Sequence, residues 1–306
     1  MSGAKTLSYK SIVSLGFLVY FFSYAMRLDY SASIVAIVSD LKISNTMASA
    51  AVTGSFITYG IGQVICGFIG DKISPVKMIS VAMLGTILVN ILVSFSHNIT
   101  VITVLWCING ICQALLWPPL ARFISEQVGV DKYSDAITCV GLSASIGTIF
   151  VYLFVPVIRE IANWRNVFRF MAIFGIIIMI VWGYAIRGIP MGKAEVKAKT
   201  QGRKTISVWG IISLSGLIPI FITISLHGIL RDGIQTWLPS LINEQLGLSE
   251  PSSVLSATLL PVLSMASVLI SNAIYRKIKN EIKTVNKTNL SEQFFFKQKF
   301  MATSPF

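Results

Sequence analysis

SIVSLGFLVYFFSYAMRLDYSASIVAIV, from Ser11 to Val38, is a long apolar run with an arginine, Arg27, near its middle. A membrane-spanning helix needs roughly 20 predominantly apolar residues, and this run exceeds that. A guanidinium keeps its proton in a protein, so it cannot escape the cost of lipid by becoming neutral. At the bilayer centre that cost is at least about 2.5–3.5 kcal/mol on insertion scales. An arginine at this depth reads as facing an internal cavity and meeting an anion there. The competing reading is an ion pair with a neighbouring acid that only holds helices together.

Similar runs follow at about 47–69, 78–96, 99–122, 135–158, 166–187, 211–242 and 254–275, giving eight with the first. They lack a period-two alternation, which argues against a membrane β-barrel. Composition agrees: 54% of residues are hydrophobic and 12% charged, against about 25% charged in soluble domains. The chain therefore reads as an all-α membrane protein. Its formal net charge of +12 raises nucleic acid as a partner. The lysines and arginines lie mostly between the apolar runs, however, where topology explains them, so no nucleic-acid partner is expected. The opening MSGAKTLSYK precedes a run too long for a signal-peptide core and without a small-residue cleavage site, so 11–38 reads as a first span. Cys66, Cys107, Cys112 and Cys139 fall in or beside apolar runs, have no metal-ligand spacing and read as free buried thiols.

Short polar links separate the first six runs. The link from Gly188 to Ile206 differs, with Lys193, Lys197, Lys199, Arg203 and Lys204 against Glu195. It reads as a basic cytoplasmic loop between a six-helix bundle, residues 1–187, and a second unit of two helices, residues 207–275. An even number of spans then puts the N-terminus, this loop and the tail in the cytoplasm. Residues 276–306 are rich in Lys and Asn, offer no span and read as a solvated, disordered tail.

The two units repeat one another. After Arg27 the chain reaches Leu41-Lys42-Ile43-Ser44 and then a new run; after Arg231 it reaches Leu246-Gly247-Leu248-Ser249 and then a new run. The two arginines are equivalent to within one residue of register, as in transporters built from repeats. Helical periodicity puts Tyr20, Tyr24, Arg27 and Ser31 on one stripe, and Thr223, His227, Arg231 and Gln235 on another. The planar fork of arginine suits bidentate binding of phosphate or carboxylate oxygens. Asp29 lies about 200° around the helix from Arg27 and does not simply neutralise it. Asp232 lies about 100° from Arg231, which leaves open a place at the cavity edge or a structural pair.

Between the second and third runs the chain reads Gly67-Phe68-Ile69-Gly70-Asp71-Lys72-Ile73-Ser74-Pro75-Val76-Lys77. Small residues let helices approach closely. Asp71 at a helix end, among the basic residues Lys72 and Lys77, suits a charge latch. The stretch resembles the loop pattern of the major facilitator superfamily: glycine, three residues, aspartate, then Arg or Lys. In the fourth run Asn109-Gly110, Gln113, Trp117-Pro118-Pro119 and Arg122 are similar to the N-G-x-x-Q-x-x-x-W-P-P-x-x-R signature of the organophosphate:phosphate antiporter family. Arg231-Asp232-Gly233-Ile234-Gln235-Thr236-Trp237-Leu238-Pro239 is similar to that family's R-x-G-I-x-x-W-x-P, and Asn163-Trp164-Arg165 also fits the superfamily.

The resemblance covers about residues 10–275. It implies two bundles of six helices and exchange of a phosphorylated organic substrate for inorganic phosphate by alternating access. The setting the resemblance implies is a cell membrane, the bacterial inner membrane, with the N-terminus cytoplasmic. The family's two substrate-binding arginines fall on Arg27 and Arg231. Tyr24, His227, Gln113 and Trp117 are further candidates for the cavity wall, together with Tyr59 and Gln63. Leu28 stands where the family often has a second basic residue, and Thr138-Cys139 where it has a histidine. The loop equivalent to that of Asp71, Asn272 to Lys277, lacks the aspartate, and the last four helices have no counterpart. The chain as written is therefore expected not to transport. No enzymatic motif or cofactor site is present in the sequence, so the implied partners are a small anion and the bilayer. Three other readings stand beside antiport: an organic-anion (carboxylate) symporter, a non-transporting membrane sensor of phosphorylated metabolites, and an inactive fragment.

Overall fold

The computed structural model describes residues 7–70, 72–187 and 217–285. Among these residues the chain is helical, with no strand. The first six-span unit is α1 (Tyr9–Leu41), α2 (Asn45–Gly70), α3 (Pro75–Phe95), α4 (Ile99–Ala114), α5 (Trp117–Val128), α6 (Val130–Ile161) and α7 (Trp164–Ala185). The second comprises α8 (Leu217–Leu246), α9 (Glu250–Ala257) and α10 (Leu259–Val285). Seven helical stretches are long and apolar enough to cross a membrane, with α4 and α5 taken as one stretch and α9 with the start of α10 as another. Eight spans are expected from the sequence. α8, not among these seven, is 30 residues long and carries the adjacent charges Arg231 and Asp232 at mid-length.

Local chemistry explains the boundaries. The Ser8 hydroxyl accepts from the Ser11 amide at the start of α1, and the Ser74 hydroxyl accepts from the Lys77 amide ahead of Pro75 in α3. The fourth span is broken rather than continuous. Pro118 and Pro119 have no amide hydrogen to give the preceding turn, so α4 stops at Ala114 and α5 starts at Trp117. Pro261 has the same effect on the eighth span, which breaks at Thr258. The tail reading is corrected for residues 276–285, where α10 continues from Arg276 to Val285; residues 286–306 lie outside the described residues. Strong helix formers there, with Ile278 and Ile282 four residues apart, carry the helix beyond the apolar run.

The most extensive helix pairings are α2 with α4, α1 with α6 and α3 with α7. Glycines make the first of these close. A Cβ at Gly62 would lie 2.7 Å from the Ala114 Cβ, and one at Gly110 would run into the Ser55 carbonyl. Gly67 and Gly70 face open space, so the close approach expected of the Gly67 loop occurs deeper in the membrane. Polar groups tie α1, α2 and α4 together. Asn109 Nδ2 donates to the Met26 carbonyl at 3.2 Å, Tyr30 to the Ala48 carbonyl at 2.9 Å, and Thr58 to the Cys107 carbonyl at 2.7 Å. Of the four cysteines, all free, Cys66 is buried, Cys107 and Cys112 are half-buried and Cys139 is exposed, so the buried reading fails for Cys139.

The two units meet at the end where α1 and α8 terminate. Arg159 forks onto Glu250 at 3.0 and 3.3 Å, and Asn45 donates to Glu244 at 2.6 Å. Nearby, Asp40 accepts from Arg165 at 2.7 Å and from the Trp164 indole at 3.0 Å. The repeated turns are alike in backbone: Lys42 has φ 53° and Gly247 φ 63°.

Candidate functional site

Arg27 projects from the middle of α1 against three aromatic rings. Its guanidinium carbon lies 4.6 Å from the centre of Tyr59, 5.6 Å from Phe56 and 5.9 Å from Tyr24. Rings of this kind attract a cation and keep water from it without neutralising it. The chain Tyr24, Tyr20, Trp117 continues this wall, with ring centres 5.1 and 4.3 Å apart.

Arg231 arrives from α8. Its Nε donates to Asp232 Oδ1 at 2.8 Å, while Arg27 Nη2 donates to Asp232 Oδ2 at 3.2 Å. One carboxylate thus lies between the two arginines and gives each of them one oxygen. The side chains are 16% exposed for Arg27, 31% for Arg231 and 26% for Asp232. Of the two places left open for Asp232, cavity edge and structural pair, the hydrogen bonds show the pair.

A cavity of about 490 Å³ opens beside this group, lined among others by Tyr24, Thr148, Arg231, Gln235, Ser264 and Ser267. Its polar wall is ordered. Gln235 Nε2 donates to the Thr148 hydroxyl at 2.8 Å, and the Tyr152 hydroxyl donates to the Gln235 carbonyl. The arrangement offers what an oxyanion needs: two cations from different helices, N–H groups beyond those used by Asp232, and hydroxyl and amide donors alongside.

The other expected residues divide. Tyr24 lines the cavity and Trp117 stands behind it through Tyr20. Gln113 does not line it. It is 4% exposed, accepts from the Ser23 hydroxyl at 2.5 Å and donates to Thr86 at 3.5 Å, so its polarity ties α1, α3 and α4 together. Gln63 donates to the Ala114 carbonyl at 3.3 Å across the α2–α4 contact. Ser31 is buried, and the Thr223 hydroxyl turns back to the Pro219 carbonyl of its own helix. The His227 side chain and Asp71 lie outside the described residues, as does the basic loop 188–206.

At the loop after α2, Lys72 and Lys77 are exposed, and the Lys77 amide serves the cap of α3. Arg122, the last residue of the fourth-span signature, reaches from α5 to the Gly70 carbonyl at the end of α2 and pairs with Glu126 at 2.7 Å. Sequence reasoning named Arg122 but gave it no role. A cation aimed at the last carbonyls of a helix is a signal that could have found it. Phe56, Thr148 and the bridging use of Asp232 were also missed.

A family model described as Major Facilitator Superfamily matches residues 13–286. Over 165 residues the chain is 26% identical to a probable hexose phosphate transport protein of Chlamydia trachomatis, covering 54% of this chain and 36% of that protein. Over 183 residues it is 24% identical to the glycerol-3-phosphate transporter of Bacillus subtilis, covering 58% of this chain and 41% of that one. The aligned part thus spans well under half of these relatives' own length. Among solved structures, a bacterial homologue of the human lysosomal transporter Spinster matches with a TM-score of 0.71 at 15% identity, over 90% of this chain and 64% of that one.

Proposed function

This chain belongs to the major facilitator superfamily, and from that premise we propose that its site binds an organic anion headed by a phosphate, in exchange for inorganic phosphate. The observation that carries this reading is the convergence of Arg27 and Arg231, one from each repeated unit, within hydrogen-bond reach of a single carboxylate. Arg231 lines the cavity and Asp232 links it to Arg27, so an oxyanion that enters beside Arg231 and reaches as far as that carboxylate engages both. Arginine on each side matches the bidentate geometry of phosphate oxygens. That two relatives are named for hexose phosphate and for glycerol-3-phosphate supports the same substrate class.

In this reading residues 1–187 form the first bundle and residues 207–275 part of the second. A bound anion draws α1 and α8 together, and the halves then rock about it so that access passes from one side to the other. The ties Arg159–Glu250 and Asn45–Glu244 sit at one end of the bundle and would break when that end opens. Asp71, Lys72 and Arg122 act at the opposite end. The basic loop and the N-terminus are cytoplasmic, and the protein resides in the cell membrane.

Binding tests the substrate class directly. The purified chain in lipid nanodiscs is expected to retain a labelled hexose phosphate and to release it to inorganic phosphate but not to a hexuronate. Release by the hexuronate in preference to phosphate would replace this reading with that of a carboxylate carrier.

A further inference from the structure

Asp232 is a feature that two converging arginines do not by themselves require. Arg27 from α1 and Arg231 from its own helix bond to it; the rings of Tyr24 from α1 and Tyr59 from α2 lie on Arg27, and Tyr20 packs on Tyr24. The neighbouring walls from α6 and α10 supply Ser145, Thr148, Ser264 and Ser267, all uncharged. Two guanidinium charges against one carboxylate leave the site with a net charge of one.

We propose that Asp232 sets how strongly this site favours charge on its anion, so that the advantage of a doubly charged oxyanion over a singly charged one is held down. This rests on the reading of the cavity as an oxyanion site. Asp232 uses one nitrogen of each arginine, and an incoming anion takes N–H groups that remain. The incoming group then lies beside the Asp232 carboxylate as well as the arginines. A second negative charge on it is attracted by two cations and repelled by the carboxylate, so it gains less than it would without Asp232. At a separation of about 5 Å and an effective dielectric of about 20, one extra charge changes affinity by roughly a hundredfold. The partial exposure of all three side chains reduces this, so about tenfold is the expectation.

The test uses the chain in nanodiscs at pH 8 with two probes, methyl phosphate and dimethyl phosphate. The first is a dianion there, since the second ionisation of a phosphate monoester lies near pH 6; the second is a monoanion. Wild type is expected to discriminate only weakly between the two. Asp232→Asn is expected to swing the preference toward methyl phosphate by about tenfold, and Asp232→Glu to keep the wild-type order. Asp232→Ser removes the charge by another route and should reproduce the swing if the asparagine variant does not fold. A preference unchanged in the neutral variants, with both probes still binding, overturns this inference and leaves the oxyanion site standing. Failure of wild type to bind either probe overturns the oxyanion reading itself, and this inference with it.

Discussion

Arg27 and Arg231 hold matching places in two repeated segments, yet the walls behind them differ. Beside Arg27, Met26 is 1% exposed and Leu28 6%; beside Arg231, Ile229 is 69% exposed and Leu230 63%. Three aromatic rings hold the first guanidinium. The second is held chiefly by Asp232 of its own helix. Both hydrophobic clusters of the core are built almost wholly from α1 to α7, and α9 adds Val254 and Ala257. Equivalence in sequence thus gives equivalent position without equivalent packing. The first unit fixes one half of the site by packing, and the second brings its arginine to it.

If packing is what separates the two units, small residues should matter unequally. Gly110→Leu drives a side chain into the Ser55 carbonyl, and overpacking of this sort costs about 1–3 kcal/mol, the upper end being expected against backbone. Gly228 on α8 has nothing near its would-be Cβ. There Gly228→Ala is expected to gain about 0.5–1 kcal/mol from helix propensity alone. Thermal unfolding followed by tryptophan fluorescence measures both, and equal shifts would erase the distinction between the units.

A finer contrast lies in the repeated turns. Lys42 occupies the left-handed region that Gly247 occupies freely. An L-residue with a side chain pays roughly 1–2 kcal/mol for that conformation. Lys42→Gly should therefore stabilise the first unit by up to about 1 kcal/mol, and Gly247→Lys should destabilise the second by about as much. The same unfolding measurement reads both, and a loss of stability in Lys42→Gly would show that the lysine side chain itself holds the turn.

Much of this was legible in the sequence because a bilayer imposes length and polarity so strictly. Runs of apolar residues gave the spans, and the two Leu-x-x-Ser turns gave the repeat and the register of Arg27 with Arg231. What was not legible depends on contacts between distant segments. Gln113 sits in a signature that pointed to the cavity, but its partners are Ser23 and Thr86 inside the first bundle. Asp232 is adjacent to Arg231, and neighbours along a helix diverge by about 100°. Their pairing follows from the reach of the arginine side chain, and the second bond to Arg27 crosses 205 residues of sequence. The glycines of the Gly67 loop drew the eye, whereas the close approach belongs to Gly62 and Gly110. The helix from Arg276 to Val285 was hidden because its residues are polar, although their propensity is helical.

The central claim is that two arginines from two units serve one anion. A double-mutant cycle on hexose phosphate binding tests it: wild type, Arg27→Lys, Arg231→Lys and the double variant, each in nanodiscs. Lysine keeps the charge and loses the fork, so each single change is expected to weaken binding by about tenfold or more. Because both contacts are made to one anion, the double variant should lose less than the product of the two, with a coupling of about 0.5–3 kcal/mol. A lysine variant that binds like wild type, or losses that simply multiply, would contradict a shared site.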